Sequence, residues 1–258
     1  MNIVVLKDPG VLGKAAATQV AGLLKEAIAK KGISRLLLST GASQLTTLEA
    51  LVKMDVAWDR VEMFHLDEYV DLPETHMASF RKYLRERFVD VVHPRASHFV
   101  DGNPENIPVL TQSLRAAPID VGLIGIGENS HIAFNDPPAD FNTREAYILV
   151  TLSETCKRQQ VREGWFSSMD EVPRQAISMT VHQIMQCRHI ISCVPFAVKA
   201  NAVKHTLESE VTNTIPATIL KSHPSFTLYV DDDSYSTVDE SQISPVENFS
   251  FCVRHGED

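Results

Sequence analysis

Apolar residues along the chain follow two alternating periods, one suited to strands and one to helices. The opening Met1 to Lys7 reads as a first strand. From Gly10 to Lys31, the residues Val11, Leu12, Ala15, Ala16, Val20, Leu23, Leu24, Ala27 and Ile28 recur at helical spacing. Arg35 to Ser39 is a short buried strand, and a Thr40-Gly41-Ala42 turn leads into a helix from Ser43 to about Met54. Val61 to Leu66 reads as a strand and Met77 to Val89 as a two-faced helix. Ile119 to Ile126 is nearly continuous in apolar residues, as expected of a central parallel strand covered on both faces. The second half repeats the idiom, with strands at Ala146 to Leu152, Ala176 to Val181, His189 to Val194 and Phe226 to Val230, and a helix at Phe196 to Glu208. Such alternation implies βαβ units and a mostly parallel α/β sheet. One domain is expected over residues 1–231. Residues 232–258 are acidic, Ser-rich and weakly patterned, and read as a polar surface tail.

Composition narrows the function. The 258 residues suffice for one large α/β domain, and 44% hydrophobic with 22% charged residues is ordinary for a soluble globular protein. A net charge of -9 argues against nucleic acid as a partner, because phosphate backbones call for excess Lys and Arg. No apolar run has the length of a membrane span, and the N-terminus lacks the pattern of a signal peptide. Cys156, Cys187, Cys193 and Cys252 show neither CxxC spacing nor disulfide-framework density, so free thiols in a reducing cytoplasm are expected.

The candidate chemistry gathers at strand ends. In open parallel sheets ligands bind beyond the carboxyl ends of the strands. Ser39-Thr40-Gly41-Ala42-Ser43 occupies such an end, where small residues let backbone N–H groups converge on a phosphate; the plain alternative is a tight turn with Ser43 as a helix cap. Asp67 and Glu68 follow the apolar run Val61 to Leu66. Adjacent carboxylates point in different directions, so at most one enters a shared pocket, and the apolar approach can desolvate Asp67 and raise its basicity. Gly125-Ile126-Gly127 follows another strand, but no third glycine completes a dinucleotide fingerprint, which argues against a nicotinamide cofactor. His131 has Asp136 five residues on, a carboxylate partner for acid–base work; two ligands without a third make a weak metal site. Arg162 and Lys199 could supply cations to a phosphate, although either is ordinarily a solvated surface charge.

Two long segments resemble the glucosamine-6-phosphate deaminases. They are Phe64-His65-Leu66-Asp67-Glu68-Tyr69-Val70-Asp71-Leu72-Pro73, followed by His76 and Ser79, and Gly125 to Pro137, which reads GIGENSHIAFNDP. With the Ser39–Ser43 loop, the similarity runs from about residue 10 to about residue 231. The sister 6-phosphogluconolactonases usually carry Asp-Glu-Arg where this chain has Asp67-Glu68-Tyr69, and lack the Phe134-Asn135-Asp136-Pro137 ending. The resemblance implies a modified Rossmann-like fold with helices on both faces of the sheet. It implies Asp67 as the base moving a proton between C2 and C1, His131 as the ring-opening group, and Asp136 orienting His131. Asn129 stands where some members have Asp and others Asn, and Ser130 replaces a usual Gly. A β-carbon at Ser130 would crowd the sugar if the turn needs positive φ. Ala42, Ser43 and Gln44 depart from the commoner Gly-Thr-Pro. Lys199 matches a phosphate lysine, and Arg162 a phosphate arginine for which Lys157 and Arg158 compete.

The implied reaction is isomerisation with deamination of glucosamine 6-phosphate to fructose 6-phosphate and ammonia, with no metal and no redox cofactor. The expected partner is a small sugar phosphate, with no nucleic acid and no membrane, and a homo-oligomer stays open. Two other readings compete. One is a lactonase in which His131 activates water; the other is a catalytically idle sugar-phosphate sensor, kept open by Asn129 and Ser130.

Overall fold

The computed structural model describes residues 1–246 and 250–256. Its strands are β1 (Asn2–Leu6), β2 (Ser34–Leu38), β3 (Val61–His65), β4 (Asp67–Tyr69), β5 (Ala96–His98), β6 (Val121–Leu123), β7 (Tyr147–Thr151), β8 (Gln175–Met179), β9 (His189–Val194), β10 (Phe226–Asp231) and β11 (Cys252–His255). Its α-helices are α1 (Pro9–Lys31), α2 (Leu45–Leu51), α3 (Phe80–Leu84), α4 (Asp90–Val92), α5 (Ile107–Arg115), α6 (Glu154–Arg162), α7 (Val181–Ile184), α8 (Ala200–Glu208) and α9 (Asp232–Tyr235).

Eight strands form one sheet in the order β11-β1-β10-β9-β6-β2-β3-β5, and every pairing in it is parallel. Successive residues face opposite sides. Leu36 and Leu38 pack with α1 and α2 residues such as Leu12, Val20 and Leu48, whereas Leu37 packs with α8 residues such as Val203 and Leu207. Helices therefore cover both faces, which is the α/β arrangement expected from the alternating pattern and the Rossmann-like fold that the resemblance implies. α1 starts at Asp8, whose carboxylate accepts from the Gly10 and Val11 amides, and ends at Gly32 in the left-handed region. Gly13 lets α1 approach α2 closely: a Cβ there would lie 2.6 Å from the Thr46 carbonyl carbon. No described helix is long and apolar enough to cross a membrane.

Four of the expected segments differ from the sequence reading. β7 and β8, expected in the parallel sheet, instead build a separate antiparallel sheet with β4 in the order β4-β8-β7. The Ile119–Ile126 run is a strand only at Val121–Leu123; Ile124 onward leaves the ladder and turns into the loop that bears His131. The segment after 231 is not a plain tail. Asp231 forms a capping box with Ser234 at α9, Tyr235 and Ile243 enter the core, and β11 pairs with β1 at the sheet edge. A few anchors in a polar stretch were enough to fix it, so average composition hid them. Residues 247–249 and 257–258 of that expected tail lie outside the described residues.

Candidate active site

β2 and β6 are neighbours, and the chain runs on from β2 to β3 on one side and from β6 to β9 on the other, so a crevice opens between their carboxyl ends. A cavity of about 420 Å³ lies there, lined by Ser39–Ser43 after β2, Asp67 after β3, Gly125–Glu128 and His131 after β6, Arg162 and Glu163 from the end of α6, and Lys199 after β9. The structure thus brings nearly all the sequence-predicted residues to one cavity. Asn129 and Asp136 do not line it; they stand behind His131. Lys157 and Arg158 do not line it either, and Arg158 pairs instead with Glu154 on the surface of α6.

Asp67 begins β4 opposite Ser178 of β8, and this antiparallel pairing is what buries it to 6% exposure. Its pKa is pushed up to about 8, chiefly because burial disfavours the charged form and secondly by the charge of Glu68. Glu68 points the other way, as expected of neighbours on a strand. It is fully buried, accepting from the amides of Tyr69, Phe80 and Arg81, the Ser79 hydroxyl at 2.9 Å and the Arg81 guanidinium. Glu68 thereby holds the start of α3, while Asp67 is left to the cavity.

His131 is held by a chain of hydrogen bonds. Its Nδ1 contacts Asn129 Oδ1, the Asn129 amide donates to Asp136 Oδ1 at 3.2 Å, and Ser153 Oγ donates to Asp136 Oδ2 at 2.6 Å. An amide oxygen only accepts, so Nδ1 carries the proton and Nε2 keeps a lone pair in the neutral ring. The amide orientation follows from this network, since the carboxylate of Asp136 calls for the Asn129 NH₂. Burial lowers the His131 pKa, with Lys199 acting in the same sense and the Asp136 carboxylate 3.4 Å away opposing. A neutral imidazole with Nε2 open is a proton acceptor. Asn129 is therefore a satisfied link in the relay, donating and accepting at once.

The loop needs unusual backbone. Ser130 sits at φ 64°, in the left-handed region where a β-carbon is disfavoured. Its side chain does not line the cavity; the hydroxyl faces the Ala202 carbonyl of α8 and the Ser130 carbonyl accepts from Ala217. The β-carbon costs on the order of 1–2 kcal/mol of backbone strain without reaching the cavity. Gly127, which the sequence presents in an incomplete dinucleotide pattern and in the Gly125–Pro137 segment without a role of its own, makes room for the imidazole. A Cβ there would fall 2.1 Å from His131 Cε1.

At the opposite end, the Ser39 hydroxyl accepts from Gly125 N–H at 3.1 Å and ties two cavity loops together. The Ser43 hydroxyl takes a bond from Gln44, whose amide also reaches the Cys193 carbonyl. Lys199 follows Phe196, a non-glycine residue at φ 84° whose amide donates to both carboxylate oxygens of Asp231. That anchor from β10 fixes the strained turn presenting Lys199. Burial lowers the Lys199 pKa, offset in part by Glu163 and Glu128. Arg162, 62% exposed at its side chain, forms an ion pair with Glu128. Glu128, Glu163 and Ser153 were missed in the sequence, because only the fold brings them to Lys199, Arg162 and Asp136. Among the described residues, no group of three His, Cys, Asp or Glu side chains is placed to hold a metal.

Fold and cavity together define a Rossmann-like α/β protein that gathers Asp67, His131 and Lys199 at the switch point of its sheet. The chain belongs to the glucosamine-6-phosphate isomerases/6-phosphogluconolactonase family, whose model matches residues 7–228. A glucosamine-6-phosphate deaminase of Staphylococcus epidermidis is 34% identical over 235 residues, covering 85% of this chain and 93% of that protein. Among solved structures, a monomeric glucosamine-6-phosphate deaminase superposes with a TM-score of 0.83 at 27% identity, over 92% of this chain and 99% of the other. A 6-phosphogluconolactonase from Thermotoga maritima shares the fold, with a TM-score of 0.74 at 15% identity over 90% of this chain and all of the other.

Proposed function

We propose that the chain is a glucosamine-6-phosphate deaminase, converting the amino sugar phosphate and water to fructose 6-phosphate and ammonia. The observation that carries this reading is a buried carboxylate without a cation beside it, Asp67, in one cavity with a neutral, Nδ1-tethered His131. The first tends toward a strong base and the second accepts and returns a proton, as the two stages of the reaction require. His131 Nε2 takes the proton of the anomeric hydroxyl and returns one to the ring oxygen, giving the open aldehyde. Asp67 takes the C2 proton and delivers it to C1 through an enolamine. The resulting ketimine is hydrolysed by water, releasing ammonia. Lys199, Arg162 and the Ser39–Ser43 loop grip the phosphate, and this remote binding energy holds C2 against Asp67.

The deciding assay follows ammonia released from glucosamine 6-phosphate beside hydrolysis of 6-phosphogluconolactone. Ammonia with little lactone hydrolysis supports the deaminase. Lactone hydrolysis alone supports the lactonase, and tight binding of the sugar phosphate with neither activity supports a sensor.

Two further outcomes follow. Because the base must be ionised and Asp67 titrates near 8, kcat/KM is expected to rise with pH, about tenfold per unit below 8, and to level off above it. A flat profile between pH 6 and 8 contradicts Asp67 as the base. Lys199→Ala should weaken fructose 6-phosphate by roughly 1.5–3 kcal/mol, about 10- to 150-fold, and leave fructose unchanged. Calorimetry with both ligands checks this; equal losses return Lys199 to a surface charge.

A further inference from the structure

The relay behind His131 does not end at Asp136. Asp136 Oδ1 takes the Asn129 amide, and Oδ2 takes the Ser153 hydroxyl at 2.6 Å. The terminal torsion of an Asp side chain is broad, so a bond to the far oxygen is what fixes the carboxylate plane. Ser153 is also the N-cap of α6, its Oγ accepting from Cys156 N–H at 3.1 Å. At about 1.5 Å per residue, α6 runs roughly 13 Å from that cap to Arg162 at the cavity. One hydroxyl therefore belongs to two structures, the hydrogen-bonded chain that orients His131 and the helix that presents Arg162.

We propose that Ser153 is a positioning residue that fastens the His131 relay to the helix carrying Arg162, so that phosphate capture at one end of α6 and orientation of the imidazole at the other are coupled. The role deepens the deaminase reading and rests on it for its consequence in turnover. Phosphate drawn to Arg162 steadies α6. A steadied α6 keeps the Ser153 hydroxyl on Asp136, and Asp136 with Asn129 keeps Nε2 aimed at the sugar. A substrate without phosphate would leave this linkage unused and be opened more slowly as well as bound more weakly.

The test separates capping from coupling. Glycine is a tolerated N-cap, costing only a few tenths of a kcal/mol. Ser153→Gly thus preserves α6 while removing the hydroxyl from Asp136, and Ser153→Thr keeps both functions. In Ser153→Gly, kcat is expected to fall about tenfold while the melting temperature stays near wild type, with Thr restoring turnover. The second readout needs no turnover. Inorganic phosphate is titrated while the His131 ring is followed by NMR. In the wild type the ring resonances move; in Ser153→Gly the movement should drop below half, with phosphate affinity within twofold. A Ser153→Gly protein with wild-type turnover and an undiminished His131 response overturns the proposal. So does a loss of activity that tracks melting temperature equally in Ser153→Gly and Ser153→Ala. If the wild type releases no ammonia yet its histidine response depends on Ser153, the deaminase reading fails while the coupling stands.

Discussion

Asp67→Asn is expected to abolish isomerisation, lowering kcat by at least about 10²–10⁴-fold, while leaving fructose 6-phosphate binding within a few-fold. The amide is near-isosteric with the carboxylate but is no base, and the residues proposed to grip the phosphate lie on other elements. The same substitution should change stability in a pH-dependent way. The folded-state pKa near 8 lies above the ordinary value of 3.8, so between these limits the native state holds the proton more tightly than the unfolded chain. The wild type therefore loses stability as pH rises through that window, by up to about 1.4 kcal/mol per unit. The variant lacks this loss, so its melting temperature relative to wild type should climb from pH 5 to pH 9. Thermal melts across that range, beside turnover at one pH, check both halves. Retained turnover, or a stability difference independent of pH, would remove Asp67 from the role of buried base.

Gly127→Ala is expected to disable the site through His131. The added Cβ would meet three ring atoms at 2.1–2.4 Å, in the middle of the imidazole, so the ring must leave its place and its bond to Asn129. Turnover should fall about as far as in His131→Ala, on the order of 10²–10⁴-fold. Overpacking of this kind costs roughly 1–3 kcal/mol of stability besides. Because the atoms nearest the added Cβ all belong to the His131 ring, phosphate affinity should change little. The informative comparison is Gly127→Ala with His131→Ala and with the pair. If the two changes act through one ring, the double variant is no worse than either single one. Additive losses would place the glycine's importance elsewhere.

Much of this site was legible in the chain because its chemistry sits where strands stop. Asp67 and His131 each follow an apolar run, and the alternation of strand and helix places such ends at one edge of a parallel sheet. What escaped the sequence depends on partners distant along it. Nothing in Tyr147–Thr151 or Gln175–Met179 tells an antiparallel satellite from a central strand, yet that satellite buries Asp67. Ser153 belongs to no motif in the sequence, and only the fold sets it against Asp136. Glu128 is one letter of a longer signature in the sequence, and only the fold brings Arg162 to it from the far end of α6. Gly127 looks like a relic of a nucleotide motif, although it leaves space for a ring four residues on. The C-terminal strand failed for another reason: Tyr235, Ile243 and Val253 are too few to lift a polar stretch above the pattern of a tail.

Transfer of a proton from C2 to C1 by one buried carboxylate is the step that sets a deaminase apart from a lactonase. It is tested most directly with glucosamine 6-phosphate deuterated at C2. The expected result is fructose 6-phosphate carrying deuterium at C1, formed mole for mole with ammonia, and no product from Asp67→Asn. Fructose 6-phosphate whose newly added C1 hydrogen comes wholly from solvent, or label transfer that persists in Asp67→Asn, would contradict it.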